Sequence, residues 1–254
     1  MYRNLRISVV IPCHNEEEGI AAVLAQMPPL VDEVVVVDNA STDRTAEVAR
    51  AAGAEVVYEG RKGYGRAYKS GFAHARGDII VTMDGDGTYP PESIPLLVYV
   101  LIEEKLDFIT ARRWYSKTGQ AKSPIRLFGN AILSATLMCL FFKFLVDSQS
   151  GMWVFKRDVL KKIVPKSDGM ALSEELKILA FTHRDLRCLE MPIYYGERIG
   201  TSKLNIWRDG FVNLFFLVQM RLTLGRRRRA ASVTPIVLPE RTEEPAKVRA
   251  SQLP

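Results

Sequence analysis

Through the first 110 residues, short runs of β-branched and apolar residues alternate with segments of helical pattern. "RISVVIP" is followed by "EEEGIAAVLAQM", "EVVVVDN" by "DRTAEVARAAG", "EVVYE" by "GRAYKSGFAHA" and "DIIVTMD" by "PPESIPLLVYVLIEE", and "DFITARR" closes the series. Strands that read as unbroken apolar runs are buried on both faces, and helices between them are the crossovers of a parallel sheet. The pattern predicts an α/β fold: an open, mostly parallel, Rossmann-like sheet with helices on both faces. Such sheets bind ligands beyond the carboxyl ends of their strands. Asp38 and the pair Asp84/Asp86 all follow strand ends, so they share one expected address.

After Arg113 the alternation stops. "SPIRLFGNAILSATLMCLFFKFLVD" (123–147) reads as one apolar helix, "EELKILAFTH" as a second and "FVNLFFLVQMRLTLGRRRR" (211–229) as a third, with "LRCLEMPIYYGERIGTSKL" as a strand and loop. From residue 230 the chain loses periodicity and becomes rich in proline and charge, the composition of a disordered tail. The expected division is one domain over 1–229, with an internal boundary near 113, and a tail over 230–254.

The 254 residues carry a net charge of +6, which suggests anionic company: a phosphorylated substrate, a membrane surface or nucleic acid. Cys13, Cys139 and Cys188 are scattered, without the spacing of a disulfide framework or a zinc site. "MYRNLRISVVIP" lacks the order of a secretory signal, and no uncharged apolar run reaches the ~20 residues of a spanning helix. A cytoplasmic location is expected.

The first strand–helix turn, "IPCHNEEE", has no glycine fingerprint, which removes the main support for dinucleotide binding, and no Walker-type phosphate loop is present. The stretch "DGDG" that follows "DIIVTM" offers different chemistry. Two carboxylates one residue apart can hold a hard divalent cation through oxygen while leaving positions for substrate phosphates. The competing explanation is a turn in which the aspartates bond local backbone. Placement at the end of a sheet strand favours the ion.

The chain resembles inverting glycosyltransferases of family 2, in the branch of dolichol-phosphate mannose synthase and bacterial polyprenyl-phosphate sugar synthases. "VVIPCHNEEEGI", "VVDNASTDRT" and "DGDG" are similar to its nucleotide- and metal-binding blocks, and "DSQSGMWVFKRDVL" and "MPIYYGERIGTSKL" to its late blocks. The resemblance, spanning about residues 6 to 224, implies a GT-A type fold with a nucleotide-sugar half (1–113) and an acceptor- and membrane-facing half (114–229). It implies that Pro12, His14, Glu16, Asp38 and Asn39 face a UDP- or GDP-hexose. It places Mg2+ or Mn2+ on Asp84 and Asp86, with Thr88 as a third metal-binding residue. His14 stands where the family usually has tyrosine, Asn39 where it often has aspartate, and Thr88 where the mannose synthases often have glutamine.

On the acceptor side, "ARRW" (Arg112), "SPIRLFGN" (Arg126, Asn130) and "GERIGTSK" (Arg198, Ser202, Lys203) supply cations and donors for a polyprenyl phosphate. A phosphate oxygen is already ionised at neutral pH, so it needs no general base. The expectation is metal-assisted, single-displacement transfer with Asp84, Asp86, Arg112, Arg126 and Arg198 at its centre. Glu174 and Glu175 either assist the acceptor or simply open a helix. The helix over 129–146 has Lys143 as its only charge, and the 211–229 helix ends in arginines, a combination suited to amphipathic helices on a cytoplasmic membrane face. A separate membrane partner would then use the product. "RRRR" at 226–229 comes without any nucleic-acid-reading module, so no nucleic acid is expected. The alternatives are a family 2 enzyme with a hydroxyl acceptor, a non-catalytic lipid-surface protein and a nucleotidylyltransferase.

Overall fold

The structure, a computed structural model, describes residues 1–115, 124–200 and 206–227. The expected tail at 230–254 lies outside the described residues, as do Ser202 and Lys203. Seven strands form one sheet in the order β3-β2-β1-β4-β6-β5-β7. They are β1 (Ile7–Cys13), β2 (Glu33–Asp38), β3 (Glu55–Tyr58), β4 (Ile79–Thr82), β5 (Phe108–Tyr115), β6 (Trp153–Lys156) and β7 (Cys188–Tyr195). Every pairing is parallel except those of β6, which runs antiparallel to both β4 and β5. The mostly parallel sheet is therefore as expected, with one reversed strand inserted that the sequence pattern did not reveal.

The helices cover both faces. On one side, α1 (Glu17–Ala25), α2 (Thr45–Ala51) and α4 (Ile94–Glu103) pack Ile20, Val23, Ala49, Leu97 and Leu101 against Ile7, Val9, Ile11 and Val81. On the other, α3 (Tyr64–His74), α6 (Val159–Lys162) and α7 (Leu172–Thr182) bury Tyr68, Phe72, Leu160, Leu172 and Leu176 with Trp153, Phe155 and Phe108. Two-sided burial explains why these strands lack period-two alternation.

The remaining helices, α5 (Pro124–Phe141) and α8 (Ile206–Arg227), pack on each other and on α7 through Leu133, Leu137, Phe141, Ile178, Leu217 and Met220. The apolar helix expected over 123–147 stops at Phe141, because Phe142 turns into the left-handed region with φ 54°. Apolar side chains are also exposed on α5, on α8 and on the segment that follows α5. Phe128 is 69% exposed, Phe142 84%, Phe144 77%, Phe211 69%, Phe215 71% and Leu222 70%. Exposed apolar surface on this scale marks an interaction site.

Strand order reverses at β1, whose neighbours are β2 and β4, so the β1–α1 and β4–α4 loops open on one crevice. A glycine sets how closely these loops meet. A Cβ on Gly19, in the first turns of α1, would lie 2.4 Å from the Gly85 carbonyl oxygen and 3.0 Å from Asp86 Cα. Backbone cannot yield as a side-chain tip can. Gly19→Ala is expected to destabilise the protein by about 1–3 kcal/mol, read by urea unfolding; a change within ~0.5 kcal/mol would show that the approach is slack.

Candidate active site

Asp84 and Asp86 leave the end of β4 in a turn that Gly87 closes with φ 79°. Asp86 is 3% exposed and its orientation is set locally: Oδ1 accepts the Thr88 backbone N–H at 3.0 Å and the Thr88 hydroxyl at 2.6 Å. This is the short-range Asx geometry that aspartate offers in turns. Thr88 was expected beside an ion, but its hydroxyl donates to Asp86, so it acts by orienting that carboxylate.

Arg198 reaches the pair from the loop after β7. Its Nη1 lies 2.6 Å from Asp86 Oδ2 and its Nη2 2.6 Å from Glu16 Oε1. The same loop is fastened by Gly196 N–H to Thr88 O and Ile199 N–H to Asp86 O, both 2.8 Å. Arg198, Glu16 and Asp86 are thus brought together across 182 residues of sequence separation. Asp84 receives the Tyr64 hydroxyl at 3.3 Å. Burial and then the neighbouring Asp86 charge push its carboxyl up to about 7, against the opposing pull of Arg198 and Arg113.

The donor set is all oxygen, as a hard divalent cation requires. A cradle is present too: a Cβ on Gly151 would stand 3.5 and 3.6 Å from the two Asp84 oxygens and 2.5 Å from the Tyr64 hydroxyl. Among the described residues, no group of three or more histidine, cysteine or acidic side chains is placed to hold an ion. The two carboxylates fit an ion that takes its other oxygen donors from elsewhere.

The other expected nucleotide contacts lie on the same rim. Pro12 pairs with Val37 at the end of β1, His14 and Glu16 follow in the β1–α1 loop, and Asp38 closes β2 with Oδ1 accepting the Ser41 N–H at 3.0 Å. His14 Nε2 lies 3.4 Å from Lys62 Nζ. Asn39 is different. Its Nδ2 donates to Glu59 O and Arg61 O, both at 2.9 Å, and its Oδ1 accepts the Gly63 N–H at 2.8 Å. Asn39 clamps the β3–α3 loop, a task aspartate has no donors to perform.

Arg112, expected on the acceptor side, stacks on an aromatic ring. Side chains alternate along β5, so Arg112 and Trp114 share one face, and Arg112 lies over the Trp114 ring at 5.3 Å. Its neighbour Arg113 takes the inner position. It pairs with Asp147 through Nε and Nη2, both at 2.7 Å, and its charge is felt by Asp84. Two adjacent arginines differ only in strand phase, and in "FITARRWY" apolar residues occupy both phases, so that phase is hard to assign. On α5, Asn130 Oδ1 is buried without a partner among the described residues, whereas the Arg126 side chain lies outside them.

A buried polar layer supports this rim from below. The Ser150 carbonyl accepts from Lys177 Nζ at 2.8 Å, Ser173 Oγ at 2.9 Å and Trp153 Nε1 at 3.0 Å. Gln149 bridges helices: Oε1 accepts from Asn213 of α8 at 2.9 Å, and Nε2 donates to Glu174 of α7. Burial pushes Glu174 up to about 8, whereas Asp147, despite its burial, is held at about 2 by Arg113. Burial lowers Lys177 to about 7. The sequence motif "DSQSGMW" held the signal for this layer; the lysine of "SEELK" did not, because nothing local marks it as buried.

These contacts make a pH prediction. The folded-state pKa of Glu174 lies above its ordinary value, so its contribution to stability is complete below the usual carboxylate range and is lost as pH rises through about 8. Glu174→Gln, which cannot ionise, should gain on wild type between roughly pH 4 and 8, by up to a few kcal/mol. Thermal unfolding across that range checks it, and a flat difference would contradict a neutral Glu174.

Comparison with known proteins agrees with this geometry. The family model described as "Glycosyl transferase family 2" matches residues 8–164. The chain is 33% identical over 207 residues to the dolichyl-phosphate hexose transferase of Haloferax volcanii, covering 80% of this chain and 89% of that one. It is 33% identical over 219 residues to the low-salt glycan biosynthesis hexosyltransferase Agl6 of the same organism, but spans only 53% of that protein. The glucosyl-3-phosphoglycerate synthase of Mycobacterium tuberculosis, solved with Mn2+, UDP and phosphoglyceric acid, superposes with a TM-score of 0.67 at 26% identity, covering 87% of this chain and 78% of that one. The sheet, the rim of loops at its carboxyl edge and these matches together show that the chain belongs to glycosyl transferase family 2.

Proposed function

We propose that this enzyme transfers a hexose from a nucleoside-diphosphate sugar to a polyprenyl phosphate at the cytoplasmic surface of a membrane. The observation that carries the reading is the pairing of the Asp84/Asp86 rim with two helices that expose apolar side chains. One half of the site suits a diphosphate with a divalent ion, and the other half suits a lipid. The dolichyl-phosphate hexose transferase and the undecaprenyl-phosphate 4-deoxy-4-formamido-L-arabinose transferase of an Enterobacter, 29% identical over 226 residues, support the acceptor class.

In this reading the loops at Pro12–Glu16 and Asp38 hold the nucleoside, and Asp84 and Asp86 hold Mg2+ or Mn2+. The ion, when bound, neutralises charge on the departing diphosphate. A phosphate oxygen of the acceptor forms the new bond to the anomeric carbon, on the face opposite the leaving group. The carbon–oxygen bond to the diphosphate breaks, and its electron pair leaves with the nucleoside diphosphate. No proton need be removed from the acceptor, in keeping with a Glu174 that is buried, hydrogen-bonded to Gln149 and neutral. Arg198 and the α5 positions Arg126 and Asn130 would position the two phosphates.

Transfer of label from a panel of UDP- and GDP-hexoses to a short polyprenyl phosphate, followed by organic extraction, tests the reading. Activity with one donor that falls at least ~100-fold in Asp86→Ala is expected. Label that moves only to hydroxyl acceptors would transfer the proposal to the other branch of the family.

Membrane attachment is tested separately. Among the described residues no helix is long and apolar enough to cross a membrane, so contact would be in the plane of the surface. Phe128 and Phe215 are both exposed, and replacing both by aspartate should lower partition onto anionic vesicles by on the order of 100-fold with the fold unchanged. Equal flotation of wild type and variant would exclude these faces as the contact.

A further inference from the structure

Both oxygens of Asp86 are already engaged. The two Thr88 bonds on Oδ1 belong to the turn itself, two residues away, and cannot be released without rebuilding it. The Arg198 bond on Oδ2 comes from a loop 112 residues distant. A cation on Oδ2 would place two positive charges against one buried oxygen, and of its present partners only Arg198 is free to leave.

We infer that Arg198 and the divalent ion compete for Oδ2 of Asp86. The loop Gly196–Gly200 is then latched across the aspartates until donor and ion arrive, and the displaced guanidinium turns to a phosphate oxygen. The inference rests on Asp86 as an ion-binding residue. Three further observations favour it. Arg198 joins two acidic residues from separate loops, Glu16 and Asp86, so one departure opens the rim on both sides. Its Nε is buried without an acceptor among the described residues, a donor that this position leaves unused and a phosphate would meet. Gly200, at the end of the segment, has φ 82°, a conformation open to glycine and strained for other residues. The order of events follows: donor and ion bind first, and the phosphate contact that Arg198 provides forms only afterwards.

Manganese titration of the full chain without nucleotide, read by the electron paramagnetic resonance of the free ion, tests this without turnover. Arg198→Ala should bind manganese about tenfold more tightly than wild type. Arg198→Lys, a single point charge in place of a fork, should fall between. The Gly196 and Ile199 amides, which bond Thr88 and Asp86, should exchange with solvent faster in wild type once manganese and UDP are added. Manganese affinity that is unchanged or weaker in both variants, with wild-type binding intact, overturns the competition and leaves the ion site standing. Wild type and Asp86→Ala that bind manganese alike overturn the ion site and the competition with it.

Discussion

Two carboxylates at the end of a buried strand repel one another, and much of the surrounding structure exists to contain that repulsion. Burial alone would drive Asp84 to neutrality, and its raised pKa records how far this has gone. Arg198 approaches from the β7 side, Arg113 from β5, and Tyr64 from the start of α3. Of these elements only α3 adjoins β4 in sequence, and Arg113 and Arg198 come from β5 and from the loop after β7, so the balance of charge depends on the whole sheet having its correct order. Gly19 and Gly87 serve the same end, the first by letting α1 meet the turn and the second by permitting its backbone conformation.

The polar layer beneath the rim follows a different logic. Carboxylate, amine and amide groups are buried together on α7, α8 and the segment between α5 and β6, where water cannot satisfy them. Specific partners meet most of them: Asp147 pairs with Arg113, Lys177 with the Ser150 and Asp147 carbonyls, and Glu174 Oε1 with Gln149, whereas Glu174 Oε2 is buried without a partner among the described residues. Such a layer stabilises little in net terms, but it ties elements into one arrangement, because any other packing would leave charges unpaired. Gln149 is its junction, touching α7 and α8 at once.

Much of this was legible beforehand, for identifiable reasons. Unbroken apolar runs betray a sheet covered on both sides, and strand ends betray the rim, so the position of Asp84 and Asp86 on that rim is legible from pattern alone. What escaped depended on long-range geometry. β6 hid because its "WVFK" is short and lies in a segment without helix–strand rhythm. Arg113 hid behind Arg112 because apolar residues occupy both phases of β5. Asn39 and Thr88 were recognised by position, but whether a polar side chain faces a ligand or its own backbone is decided by loop conformation, which spacing does not encode. The link from Arg198 to Glu16 spans 182 residues of sequence, beyond the reach of any local pattern.

The segment Phe142–Met152 joins the outward-facing end of α5 to β6, and it is anchored at Asp147, Gln149 and Ser150. With the helices lying in a bilayer as proposed, this anchored segment would act as a spacer between the plane of the lipid and the level of the aspartates. A spacer of fixed height makes the enzyme a depth gauge. It would select acceptors by how far the phosphate stands above the hydrocarbon, while the length of the tail below contributes to residence on the surface and little to the chemistry.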